Sequence, residues 1–109
     1  MAIPHASPGE AIDIRPLGVR LPQERTTALF KSDDLELIHL VLQAGKSFPP
    51  HQVAGGITIQ CIEGRLDVTM SGQNCVLESG QVLYLPGSVL HGVMALEDSS
   101  ALVTIVLRS

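Results

Sequence analysis

The chain has 109 residues, 45% hydrophobic and 17% charged, a length and balance that fit one domain with a modest core. Its formal charge is −4, and Arg15, Arg20, Arg25, Lys31, Lys46, Arg65 and Arg108 stand singly, so no basic stripe exists to neutralise the phosphates of a nucleic acid. No apolar run reaches the roughly eighteen residues that a membrane helix needs, and Met1 to Arg20 has Pro and acids where a secretory leader has a basic start and an apolar stretch.

In chain order, residues 1–25 are marked by Pro4, Pro8, Pro16 and Pro22 and predict an extended arm with an edge strand around Ala11 to Arg15. The main domain is expected over 26–109. Asp33 to Gln43 is readable two ways: Leu35, Ile38 and Leu42 have helical spacing, with Gly45 as a stop, whereas a strand would be apolar on both faces around His39. The surrounding strands favour strand. Ile57 to Ile62 follows as a strand, and then Leu66, Val68 and Met70 alternate with Arg65, Asp67 and Thr69 as a half-buried one. Cys75 to Leu77, Val82 to Leu85 and His91 to Leu96 are shorter candidates. Ala101 to Leu107 is β-branched and apolar throughout, as a strand covered on both faces would be.

Turn chemistry separates these segments at Gly64, Ser71-Gly72-Gln73-Asn74, Ser79-Gly80 and Pro86-Gly87-Ser88. Short strands at that spacing predict an all-β fold, a single antiparallel barrel or jelly roll over about residues 30–107. The two cysteines, Cys61 and Cys75, make neither a disulfide framework nor a zinc pair, so the expected home is reducing and cytoplasmic. Three aromatics, Phe30, Phe48 and Tyr84, are too few for a base-stacking platform.

Two of the turn-bearing segments resemble the motifs of the cupin superfamily, the RmlC-like jelly rolls. Gly45, five residues, His51, then the strand Ile57 to Glu63 closed by Gly64 is similar to the first cupin motif. Gly80, five residues, Pro86, then His91 is similar to the second, and fifteen residues, 65–79, lie between. The resemblance covers about half the chain. It implies a double-stranded β-helix, and the segments around Thr58-Ile59-Gln60 and Leu85-Pro86 resemble small one-domain bacterial cupins, a group without one assigned activity. Metal-binding cupins supply His, His and Glu from the first motif and His from the second. This chain keeps His51 and His91 but has Val53 and Ile57 at the other two places, a degenerate ligand set. Ser88 stands where the second motif has its Gly, and Ala95 where it has Asn.

The resemblance implies that His51 and His91 converge at the barrel mouth. Two imidazoles are few for a metal, since open catalytic iron sites add a carboxylate and structural sites want four ligands. A third ligand would come from Gln60, Cys61, His39 or Glu63. In a strand that points Ile57 inward, Ile59 and Cys61 also face in and Gln60 faces out, unless a bulge near Gly55-Gly56 shifts the phase. Without a motif, His39 reads as a core or interface histidine, and Cys61 and Cys75 read as small buried hydrophobes.

The expected function is therefore binding of a small molecule in an apolar interior made by Val53, Ile57, Ile59 and Val93. His51 and His91 would fix one polar group, and Gln60 would serve in second line. The alternative is a metal-dependent cupin enzyme, oxygenase- or isomerase-like, with an incomplete His/Glu set; a metal-free enzyme using a histidine as acid or base ranks third. No catalytic residue is assignable. Any ion held by His51 and His91 would be Zn, Ni or Cu ahead of Fe or Mn, bound weakly and released below about pH 6. Strands 35–42 and 101–107, apolar on both faces, predict a homodimer unless the arm covers the second face.

Overall fold

A computed structural model describes residues 6–108; at Pro49, Pro50 and His51 it describes the backbone alone. Among the described residues, nine strands follow a short 3₁₀ helix at Gly18–Gln23: β1 (Thr27–Lys31), β2 (Leu35–Leu42), β3 (Ser47–His51), β4 (Ile57–Glu63), β5 (Arg65–Met70), β6 (Gln73–Glu78), β7 (Val82–Leu85), β8 (His91–Ala95) and β9 (Ser99–Val106). They form two antiparallel sheets, ordered β1-β2-β9-β4-β7 and β3-β8-β5-β6. The jelly-roll expectation holds. The sheets face each other as a sandwich and do not close into a ring, because the edge strands β1 and β7 pair with nothing in the smaller sheet.

Strand alternation sets the layers. Ile57, Ile59 and Cys61 of β4 lie opposite Ile105, Val103 and Ala101 of β9, and all six are buried. Ile38 and Leu40 of β2 extend the same face. From the smaller sheet, Leu66 and Val68 of β5 pair with Ala95 and Val93 of β8 and close the core from the other side. Residues 35–42 are a strand, so the helical spacing there was incidental: β2 lies between β1 and β9, and its second half, His39 to Leu42, is buried at every phase.

Two strands, β1 and β3, fall outside those expected from the sequence. β3 contains Pro49-Pro50, which argues against a strand, yet it is an edge strand that pairs only with β8 and shifts register between Phe48 and His51. β1 is also an edge, short and irregular between Ala28 and Phe30. In the arm, the strand expected at Ala11 to Arg15 does not form. The Arg15 N–H is taken by the Asp13 carboxylate at 3.0 Å, and the two side chains pair at 2.8 Å, so no ladder partner is sought. The arm instead crosses the outer face of the larger sheet, where Leu21 is 2% exposed and Gln43 donates to the Pro22 carbonyl at 2.9 Å. It thus covers part of the apolar second face within one chain, while Val82, Tyr84 and Val106 stay exposed.

The turn before β8 holds Ser88 at φ +65, a left-handed conformation that costs a side-chain-bearing residue about 1–2 kcal/mol. This is the place where the second motif has Gly. Ser88→Gly therefore stabilises the protein by up to about 1 kcal/mol, the strain relief being partly offset by glycine's greater freedom when unfolded. Urea denaturation reads this as a higher midpoint at unchanged slope.

Candidate functional site

Between the sheets lies a cavity of about 470 Å³, within the range of small-molecule sites. Ile38 and Leu40 of β2, Ile57 and Ile59 of β4 and Val103 and Ile105 of β9 form one wall. Phe48, Val93 and His91 form the other, and Thr26 sits at the rim. The Thr26 hydroxyl is engaged by the backbone of Val41, accepting from its N–H at 2.9 Å and donating to its carbonyl at 3.1 Å. Among the described residues, His91 supplies the imidazole of an otherwise mostly apolar lining.

β8 positions His91 as its first residue, straight after the Ser88 turn, and its ring is 2% exposed. Nδ1–H donates to the Val89 carbonyl at 3.0 Å. A carbonyl can only accept, so this bond keeps a proton on Nδ1 and makes Nε2 the lone-pair nitrogen of the neutral ring. The β3–β8 register makes His51 and His91 Cα partners. The His51 side chain lies outside the described residues.

The other predicted site residues separate. Ile57, Ile59 and Val93 line the cavity, whereas Val53 packs half-buried against the core without lining it. Gln60 is exposed on the opposite face of β4. The bulge that would have turned it inward sits further along, between Cys61 and Glu63, so the phase up to Gln60 is unbroken. Cys61 faces in but toward the closed end, its thiol donating to the Glu63 carbonyl at 3.5 Å, and burial pushes its pKa up. His39 and Glu63 both lie on the outer face of the larger sheet, Glu63 because of that bulge.

Among the described residues no three His, Cys, Asp or Glu side chains gather within metal-binding reach. Ile57, where the carboxylate would stand, is buried in the cavity wall.

Glu63 has a different task, which the sequence did not disclose. Its carboxylate accepts from the N–H groups of Leu17 at 2.8 Å and Gly18 at 3.0 Å, and from the hydroxyl of buried Ser100 on β9. Burial raises its pKa, but these three donors, together with the charge of nearby His39, more than offset that and hold it below the ordinary 4.5. The carboxylate is the clasp between arm and sheet.

A family model described as a cupin domain matches residues 38–107. No curated protein matches. Among solved structures, the chain is similar to a conserved protein of unknown function from Streptococcus pyogenes, at 19% identity and TM-score 0.76, covering 100% of this chain and 96% of that one. It is also similar to an RmlC-like cupin from Desulfovibrio desulfuricans, at 25% identity and TM-score 0.70, covering 98% and 99%. KdgF from Halomonas sp. aligns at 24% identity and TM-score 0.68, covering 77% and 78%. Among the described residues, no helix is long and apolar enough to cross a membrane. The two-sheet jelly roll and the match from β2 to the end of β9 together make this chain a member of the cupin family.

Proposed function

We propose that the protein binds a small, mostly apolar molecule carrying one polar group in the cavity between its sheets. The polar group meets His91, whose Cα partner in the β3–β8 register is His51. The observation that carries this reading is one buried imidazole set in walls of Ile57, Ile59, Val93 and Val103. Apolar burial supplies affinity there, and a single directional group supplies orientation. Binding is favoured over metal-dependent turnover because Ile57 offers no donor where a carboxylate would be needed.

Phenol tests this, with benzene as the control that lacks the hydroxyl, in a methyl-resolved NMR titration. Phenol is expected to shift the methyls of Ile57, Ile59 and Val93 saturably and to bind about tenfold more tightly than benzene, the equivalent of one hydrogen bond. His91→Leu should abolish that difference. Equal binding of phenol and benzene to the unaltered protein, or shifts confined to residues outside the cavity, would overturn the reading even if the variant failed to fold.

A further inference from the structure

A second cavity, of about 500 Å³, lies on the outer face of the larger sheet, beneath the arm. Its floor is His39 and Val41 of β2, and its rim carries Arg15, Arg20 and Arg25 with Asp13 and Glu24. It shares no lining residue with the cavity between the sheets. The two lie on opposite faces of β2, as the strand period dictates for His39 and Leu40.

Its charges are unevenly committed. Arg15 and Asp13 satisfy each other at 2.8 Å. Arg20 reaches Glu24 only at 3.9 Å, between exposed side chains, where an ion pair contributes little. Arg25 makes no ion pair with any described residue, so the cavity holds one uncompensated guanidinium and a second loosely held one. Beneath them, His39 is 8% exposed and its Nε2 has no hydrogen-bond partner among the described residues. Native interiors rarely leave a buried polar atom unsatisfied, so this nitrogen at the base of the cavity calls for a partner. Burial lowers the His39 pKa, while the charges of Glu63, Glu24 and Asp13 oppose that shift.

We propose that this outer cavity binds a small organic carboxylate. Arg25 and Arg20 hold the charge, guanidinium and carboxylate being matched in geometry. Pro16, Leu17 and Val41 cover the apolar body, and His39 closes the floor. The mixture of guanidinium groups with apolar walls favours an organic anion over an inorganic one, whose whole surface would demand polar partners.

The test follows the imidazole resonances of His39 and His91 in histidine-labelled protein during titration with benzoate. Benzamide serves as the neutral control and inorganic phosphate as the anion without an apolar body. Benzoate is expected to shift His39 saturably in the millimolar range and leave His91 unmoved, with benzamide and phosphate at least tenfold weaker. Arg25→Gln, at an exposed position that leaves the core intact, should weaken benzoate about tenfold, and Arg20→Gln should weaken it less. An unmoved His39, benzamide binding as tightly as benzoate, or unchanged affinity in Arg25→Gln would each overturn the proposal. Phosphate as tight as benzoate would overturn the organic class. A benzoate shift at His91 without one at His39 would place the anion in the other cavity and overturn it too.

Discussion

Gly64→Ala destabilises the protein by about 3–5 kcal/mol, at the upper end of single-substitution effects. Gly64 turns the chain from β4 into β5 at φ +83, where a Cβ is strained whatever the space around it. Here the space is also taken: a Cβ would meet the Asp98 carbonyl oxygen and Ser99 Oγ at 2.3 Å each, and Ser99 Cα at 2.8 Å. Ser99 cannot give way cheaply. It is fully buried, and its hydroxyl accepts from the Arg65 N–H at 3.0 Å while facing the carbonyls of Glu97 at 2.7 Å and Arg65 at 3.0 Å. The added methyl must therefore break this clasp, which ties the start of β5 to the turn before β9. In a thermal melt the midpoint should fall by about 12–40 °C, at roughly 4–8 °C per kcal/mol for a domain of this size. A drop of only a few degrees would mean that the β8–β9 turn moves aside without cost.

Glu63→Ala should cost about 2–3 kcal/mol, because it strips the acceptor from Leu17 N–H, Gly18 N–H and the fully buried Ser100 hydroxyl at once. The arm, held across the sheet by these bonds, should loosen first. Amide exchange at Leu17 and Gly18 is expected to accelerate more than exchange in β4 or β9. The pH dependence has a definite sign. A carboxylate held below 4.5 in the folded state contributes stability that is complete above that value and is lost as pH falls through the folded pKa. The stability gap between the parent protein and Glu63→Ala should therefore be full at neutral pH and narrow on acidification below about 4.5. Denaturant titrations of both proteins at several pH values read it directly. A gap that stays constant, or widens in acid, would show that the carboxylate form is not what clasps the arm.

The glycine turns, the alternation in β4 and β5 and the apolar run of β9 were legible because each rests on local chemistry. Backbone that needs positive φ selects glycine, and a strand with one buried face repeats every second residue. Those signals, with the spacing of Gly45, His51, Gly80 and His91, were enough for the jelly roll and for placing Ile57, Ile59 and Val93 on one inner wall. Ser88 shows the limit of such reading. The motif identifies it as a departure, while only the observed φ reveals that the residue is strained.

What the tertiary structure alone decided concerns groups brought together across long separations in sequence. The bulge between Cys61 and Glu63 turns one carboxylate to the outer face, where it meets Leu17 from 46 residues away and Ser100 from 37. No local pattern encodes that meeting, since a bulge is a property of the pairing of two strands and not of either one. The same holds for His39. Its strand could be read, but whether its imidazole faced the core, a partner or a cavity depended on which elements β2 lay between and on where the arm crossed. Sequence determines which residues are able to form a strand, a turn or a core. The sheet order and the path of the arm determine which polar groups are left facing each other, and the candidate sites on both faces of β2 follow from that.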